Sequence, residues 1–169
     1  EKAIALYLQL SDNQRSRTKR KEALFKAAWL AYNGGMHHRA IELFERFMAK
    51  HPKDSDSADA LWYLGWNAYR INDMTKAGDY LQKLVVDFPK SPLIQQALYW
   101  RGRIAASGES PLASVTYYAE AKNKHPHHYY AEQCRKQLRE FEKSMVRSDR
   151  RVALASLEEP DSSTLGNPH

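Results

Sequence analysis

Three prolines recur at a constant interval of 37 residues, and this period limits the possible folds more than any other feature of the sequence. Pro52, Pro89 and Pro126 each follow a segment with helical periodicity. Because proline cannot continue a helix, each one ends a helix and redirects the chain. A fixed period of this size is typical of repeat proteins, in which a single hairpin cannot bury its apolar face alone. The sequence therefore predicts a stack of similar helical units.

Other residues repeat at the same interval and form columns across the units. One column is leucine: Leu24, Leu61 and Leu98. Small residues dominate three others: Ala28, Gly65 and Gly102, then Ala31, Ala68 and Ala105, then Ala40, Ala77 and Ser114. A large side chain follows the last of these by four residues: Phe44, Leu81 and Tyr118. Small side chains let two helices approach closely, and the large residue one turn later fills the space beside them.

Each unit contains two helical segments joined by a short turn. Units are predicted at about 21–57, 58–94 and 95–131, with a partial unit at 1–20. Helices are predicted near 2–10, 17–33, 37–50, 56–70, 74–87, 92–106, 111–124 and 128–146. Residues 1–146 would form one superhelical domain. Residues 147–169 are predicted to be a tail or linker, because Pro, Ser, Asp and Gly occur near the end without periodicity.

The first ten residues match the second helix of a unit. Ala3 and Tyr7 fall in the columns of Ala40 and Phe44, and no first helix precedes them. Residue 1 is Glu1 rather than methionine. We therefore expect the chain to be a piece of a longer polypeptide.

Composition narrows the class of protein. The chain has 169 residues, of which 43% are hydrophobic and 27% charged, as in a folded soluble protein. It has no run of eighteen apolar residues, so no membrane-spanning helix is expected. The net charge is +6, with a basic run at 15–21. Such a run can bind nucleic acid, but no nucleic-acid-binding motif accompanies it, and we expect no nucleic-acid partner.

Histidines and the single cysteine cluster around the third proline, which raises the question of a metal site. Zinc needs about four converging N or S ligands. The repeat places His125, His127 and His128 at the joint between units, whereas Cys134 falls in the column of Ala97. We therefore expect no metal and no cofactor, and we expect Cys134 to be a small core residue rather than a nucleophile.

The repeat resembles the tetratricopeptide repeat over about residues 21–126. Leu64 and Gly65 form its Leu-Gly pair, Ala77 follows the glycine by twelve residues, and Pro89 follows the alanine by twelve. The resemblance implies an all-α fold, a right-handed α-solenoid of helix-turn-helix repeats. The form that carries Tyr69 is similar to the bacterial envelope subgroup of these repeats.

The later part of the chain also resembles the superhelical region of periplasmic soluble lytic murein transglycosylases. The residues that carry this resemblance are Tyr99, Trp100, Arg103, Pro126, Tyr129, Tyr130, Arg135 and Leu138. The Gly-Leu-Met-Gln segment of that family's catalytic domain does not occur here, and the one Glu-Ser dipeptide of the chain, Glu109-Ser110, falls in a predicted turn of the repeat. The resemblance therefore implies a non-catalytic scaffold, with no catalytic residue in this chain and a location in the periplasm or cell envelope.

Aromatic columns on the first helix of each unit are the candidate binding residues. In the tetratricopeptide arrangement these positions line the concave groove. They are Phe25, Trp62 and Tyr99, then Trp29, Trp66 and Arg103, then Tyr32 and Tyr69. Such a surface suits a peptide, a partner helix or the sugar rings of a glycan, and Arg101 and Arg103 suit carboxylates. The alternative is that most of these aromatics pack between helices.

Two functions follow from these expectations. The first is a superhelical scaffold of a lytic transglycosylase, which binds peptidoglycan or a partner beside a catalytic domain absent from this chain. The alternative is a periplasmic adaptor that mediates protein–protein interactions in envelope assembly.

Overall fold

The computed structural model describes residues 1–108, 110–124 and 126–158, and they form helices joined by short turns. The helices are α1 (Lys2–Asn13), α2 (Arg17–Asn33), α3 (His37–Lys50), α4 (Ser57–Arg70), α5 (Met74–Asp87), α6 (Ile94–Ser107), α7 (Pro111–Lys124) and α8 (Tyr129–Glu158). Each helix packs against the next one along the chain. Within the described ranges there is no strand, and the predicted all-α fold is confirmed.

The turns inside the first two complete units have the same backbone geometry. Gly35 has φ 69° and Asn72 has φ 64°, and the two positions are one period apart. In each turn the amide of the following residue donates to a carbonyl five residues earlier, from Met36 to Ala31 and from Asp73 to Ala68. This is the Schellman arrangement, which needs one residue in the left-handed region and is best satisfied by glycine or asparagine. The repeat therefore extends to backbone conformation.

Close approach of the two helices in a unit depends on the column of small residues. A Cβ atom added to Gly65 would lie 2.8 Å from the side chain of Leu81. A Cβ added to Gly102 would overlap the ring of Tyr118, which is itself 2% exposed. The large residue of each second helix thus occupies the space that the small residue of the first helix leaves open.

The core runs along the stack as one continuous cluster. Its members come mainly from the predicted columns and include Leu24, Leu61, Leu98, Ala40, Ala77, Phe44, Leu81 and Tyr118. Cys134 belongs to the same cluster and is 0% exposed, in agreement with its column. Burial raises the pKa of its thiol to about 12, so the thiolate that reacts or binds metal does not form near neutral pH.

The two ends of the stack differ in chemistry. On α1, Leu10 and Leu6 are exposed, at 43% and 61%. They occupy the columns of Phe47 and Leu43, which α3 buries. On α8 the columns of Leu98 and Gly102 hold Arg135 and Arg139 instead. Both arginines pair with Glu132 of their own helix. At these two positions α8 is therefore charged where the earlier first helices carry leucine and a small residue.

The last helix is longer than the sequence predicted. We expected it to end near residue 146, but α8 continues to Glu158. The segment 147–158 is rich in Arg, Ala and Leu and contains no Gly or Pro, so helix propensity favours its continuation as a helix. The predicted tail therefore begins with helical residues, and its remainder, 159–169, lies outside the described residues.

No helix in the described part of the chain is long and apolar enough to cross a bilayer.

Candidate functional site

The first helices of the units form one side of the stack. Besides the contacts between neighbours, α2 touches α4 and α6 touches α8. Rings on α4 and α6 also meet, since the ring centroids of Trp66 and Trp100 are 4.9 Å apart. In a curved solenoid the helices that approach their counterparts in adjacent units lie on the inner side. The side formed by α2, α4, α6 and α8 is called the inner face below.

Three aromatic side chains form a wall along α4. The rings of Trp62 and Trp66 are stacked with centroids 6.2 Å apart and planes inclined by 18°. Trp66 stacks in turn on Tyr69 at 5.7 Å and 20°. The spacing of three and four residues places all three on one helix face, so the helix itself aligns the rings.

Trp100 of α6 joins this wall to the next unit. Its ring meets Trp66 edge-on, and it meets Tyr69 edge-on at 5.0 Å. Tyr99 lies beside Trp100 at 5.7 Å, and Tyr130 of α8 lies 5.3 Å from Tyr99. The six rings make an unbroken series across three first helices, called the aromatic ladder below: Trp62, Trp66, Tyr69, Trp100, Tyr99 and Tyr130. Five of them are half-buried, and Tyr99 is buried.

Arg103 adds a cation to the ladder. Its guanidinium carbon lies 5.6 Å from the Trp100 ring centroid and 6.0 Å from that of Tyr99, and its side chain donates to the Tyr99 hydroxyl at 3.2 Å. That hydrogen bond raises the pKa of Arg103, so the side chain remains a cation throughout the physiological range. Arg103 is exposed and has no carboxylate partner among the described residues. The ladder thus combines flat apolar rings with one available cation.

The predicted residues of α2 lie apart from this ladder. Phe25 packs edge-on against Phe44 and Phe47 of α3, at 5.5 and 5.2 Å, so it serves the contact between helices. Tyr32 contacts Tyr63 of α4 at 4.8 Å. Burial raises the pKa of the Tyr63 phenol, and the nearby indole of Trp29 opposes that shift. These side chains form a second cluster at the joint of the first two complete units.

Of the predicted groove residues, the structure brings together Trp62, Trp66, Tyr69, Tyr99 and Arg103. Sequence reasoning missed Trp100 and Tyr63, which are central to the two clusters. Both fall in a single column with Lys26, one residue after the column of Phe25, Trp62 and Tyr99. This column could have identified both residues from the sequence. Adjacent positions of a helix point about 100° apart, so two adjacent columns can both face a groove.

We expected Arg101 to lie beside Arg103 on the inner face, but the structure places it elsewhere. Its guanidinium stacks over Tyr117 of α7 at 4.7 Å and donates to the Tyr117 hydroxyl at 2.5 Å. It passes through the notch left by Gly78, where an added Cβ would overlap it. Arg101 therefore belongs to the packing between α5, α6 and α7.

The other residues of the transglycosylase resemblance have different surroundings. Tyr129 is 67% exposed, whereas Tyr130 is half-buried in the ladder. Arg135 donates to the carbonyl of Pro126 at 2.7 Å and to Glu132 at 3.1 Å, which fixes the start of α8. Of these three residues, Tyr130 belongs to the ladder, and the ring of Tyr129 meets it edge-on at 5.2 Å.

The ranges that the structure describes contain no assembled metal site. No three His, Cys, Asp or Glu side chains converge there. His127 and His128 are exposed at the joint, Cys134 is buried, and His125 lies outside the described residues. The chemistry of the inner face is that of binding: stacking, apolar contact, and hydrogen bonds from indole, phenol and guanidinium groups.

Comparison with known proteins agrees with the repeat. A tetratricopeptide repeat family model matches residues 25–92. Two crystal structures of MamA are similar in fold. One is 19% identical with a TM-score of 0.61, covering 89% of each chain, and the other is 17% identical with a TM-score of 0.57, covering 90% of this chain and 95% of that one. No curated protein sequence matches the chain. The fold is therefore an α-solenoid of tetratricopeptide-like repeats, and none of these likenesses involves a lytic transglycosylase.

Proposed function

We propose that this chain is a protein-interaction scaffold that binds a segment of a partner protein along the aromatic ladder. The observation that carries the proposal is the unbroken contact of six rings across α4, α6 and α8, with five of them half-buried. Partly exposed Trp and Tyr present apolar area together with polar edges, which is typical of binding surfaces. The match to tetratricopeptide repeats supports the same class of function.

The partner segment is expected to be apolar or aromatic with an acidic group near one end. The rings of Trp62, Trp66 and Tyr69 supply a flat apolar wall, and Arg103 supplies a cation beside Trp100. A carboxylate of the partner can pair with the fork of this guanidinium. Trp and Arg are the residues that dominate binding energies at interfaces, so these positions should account for most of the affinity.

The test is affinity capture with matched variants. Proteins retained by the immobilised chain would be compared with those retained by Trp66→Ala, and each candidate partner would then be titrated in purified form. Tyr80→Ala is the control, because Tyr80 is also a half-buried aromatic but lies on the second helix α5 and bonds to Glu45. Trp66→Ala should weaken binding at least tenfold and Tyr80→Ala should not. Equal losses in both variants would argue against the ladder as the binding surface.

A second candidate, a peptidoglycan-binding scaffold of a lytic transglycosylase, is favoured by the stacked rings and Arg103. Flat aromatic faces can stack on sugar rings, and a guanidinium can pair with peptide-stem carboxylates. This proposal places the protein in the periplasm or envelope. Sedimentation of the purified chain with isolated sacculi, with Trp62→Ala as comparison, tests it. Retention that depends on Trp62 supports it, whereas the absence of retention, together with cytoplasmic fractionation of the native protein, removes it.

A further inference from the structure

A second surface with binding chemistry lies at the rim of the stack, away from the aromatic ladder. A cleft of about 390 Å³ opens between the end of α1, the start of α2 and the end of α3. Its lining includes Arg17 and Arg20 of α2, Lys50 of α3, and His51 directly after α3. Leu24, 1% exposed, belongs to the buried core beneath. This group of four basic side chains is called the cationic cleft below.

The charges of the cleft are mostly uncompensated. Neither Arg17 nor Lys50 forms an ion pair with any residue that the structure describes. Arg20 uses one N–H of its guanidinium on the carbonyl of Gln14, at 3.2 Å, and its other donors remain available. The acid in the lining, Asp12, is held by Arg46 at 2.5 Å, so its charge is already matched. The cleft therefore presents an excess of positive charge.

A serine hydroxyl faces the same space. Ser11 lines the cleft and is 3% exposed. Its hydroxyl makes no hydrogen bond with the residues that the structure describes. The hydroxyl oxygen is reached by solvent from the cleft, so it is open to a ligand there. A hydroxyl can donate to an anion's oxygen, so Ser11 and the basic side chains call for the same kind of ligand.

His51 completes the lining as a neutral hydrogen-bonding group. Burial lowers the pKa of His51, and the neighbouring cations Arg17, Lys21 and Lys50 lower it further, against the opposite influence of Asp54. Lys21 is already paired with Asp54 at 2.7 Å. The cations near His51 that remain available to a bound anion are therefore Arg17 and Lys50. The imidazole is thus uncharged near neutral pH and carries one N–H.

The packing of the repeat does not require these side chains. One period later, the columns of Arg17, Arg20 and Lys50 hold Asp54, Ser57 and Asp87. That joint has no cation at these positions, and Asp54 precedes α4 whereas Arg17 begins α2. The cationic set is specific to the first joint, which is expected of a binding function and not of the architecture.

We propose that the cationic cleft binds a multiply charged oxyanion of the phosphate class. Guanidinium groups match the oxygens of phosphate in pairs, lysine adds a point charge, and Ser11 and His51 add neutral donors. A group with three or four peripheral oxygens satisfies these donors at once, whereas a single carboxylate satisfies fewer. The phosphate can belong to a free ion or to a larger molecule, and the chemistry of recognition is the same.

Calorimetric titration and thermal melting of the purified chain test the site, with inorganic phosphate and pyrophosphate as probes and acetate and succinate as comparison anions at constant ionic strength. We expect saturable binding of the phosphate probes and a rise in melting temperature, with pyrophosphate the tighter. Arg17→Gln and Lys50→Gln should each weaken binding about tenfold, since each removes a charge-assisted contact. Ser11→Ala should weaken it several-fold.

Arg15→Gln is the matched control, because Arg15 belongs to the same basic run but does not line the cleft. It should leave binding unchanged. Equal weakening by Arg15→Gln and Arg17→Gln would show non-specific attraction and overturn the proposal. Succinate binding as tight as that of pyrophosphate would overturn the phosphate class in favour of a dicarboxylate. The absence of saturable binding of any probe overturns the site itself. Because the ladder residues are untouched, none of these three outcomes bears on the proposed scaffold function.

Discussion

Replacing Gly102 with alanine should destabilise the third unit because its helices are already in contact at this position. The added Cβ would lie 2.7 Å from Cδ1 of Tyr118 and 2.8 Å from Cζ, and closer still to Cε1. Tyr118 is 2% exposed and packs among core residues, so the ring cannot swing into solvent. Overpacking of this kind costs about 1–3 kcal/mol, and contact with three ring atoms favours the upper part of that range.

The helix propensity of alanine opposes this cost. Alanine in place of glycine within a helix gains about 1 kcal/mol. Gly102 lies within α6, so the gain applies in full, and the expected net loss is about 2 kcal/mol. For a chain of this size the melting temperature should fall by roughly 4–8 °C.

Urea and thermal unfolding followed by circular dichroism measure this loss, and a double-mutant cycle assigns its cause. In a Tyr118→Leu background the substitution meets a smaller, flexible side chain, and its cost should fall below about 1 kcal/mol. Gly108→Ala is the control, because its added Cβ would meet only the carbonyl of Ile104, at an ordinary 3.4 Å. A Gly102→Ala protein more stable than the parent, or one equally destabilised in both backgrounds, would refute the packing argument.

Three further outcomes are expected. Tyr118→Phe should stabilise the protein by about 1 kcal/mol in urea unfolding, because the Tyr118 hydroxyl is buried without a partner in the described structure; a loss of stability would mean that the hydroxyl is satisfied. Cys134 should react with a thiol reagent only as fast as the protein unfolds, because its pKa is raised to about 12 and it is fully buried; fast labelling of the native protein would contradict its core position. The hydrogen bond from Lys21 lowers the pKa of Asp54 below its ordinary 3.8, so this carboxylate stabilises the fold above that pH and the contribution is lost as pH falls through the folded-state value. Asp54→Asn should therefore lower the melting temperature at pH 7 and have little effect near pH 2, and an equal effect at both pH values would exclude the ion pair as the cause.

The period of 37 residues was sufficient to predict the architecture because each column has a direct physical meaning. A leucine, a small residue and a large residue at fixed offsets specify the closest contact of two helices, and Gly65 and Leu81 show that contact in the structure. The predicted helices agree closely with the observed ones up to α7. The match to tetratricopeptide repeats and the likeness to the MamA structures confirm the repeat fold, while the units and the domain boundary remain predictions.

The candidate site was predicted less completely, because a column states which helix face a residue occupies and not which neighbour it meets. Phe25 shares a column with Trp62, yet Phe25 packs on α3 while Trp62 stacks along α4. Trp100 was missed as a groove residue, although it joins two units. Arg101 bonds to Tyr117 of α7, and its guanidinium occupies the space that Gly78 of α5 leaves open. That space lies between two helices, so the sequence of either helix alone does not show it.

The length of the last helix was underestimated for a different reason. Apolar periodicity indicates a helix that packs, and no residue of α8 from 142 to 151 is buried. Helix propensity favours such a continuation, and a search for a buried face does not detect it.

Photocrosslinking from defined positions on the two sides of the stack tests the central claim most directly. A photoreactive residue would replace Trp62 on the inner face or Lys83 on α5, which is exposed, and the two proteins would be irradiated with the partner obtained by affinity capture. A partner that binds along the aromatic ladder should crosslink from position 62 and not from position 83, and excess unlabelled chain should compete. Crosslinking from position 83 alone would place the partner on the outer side and contradict the account.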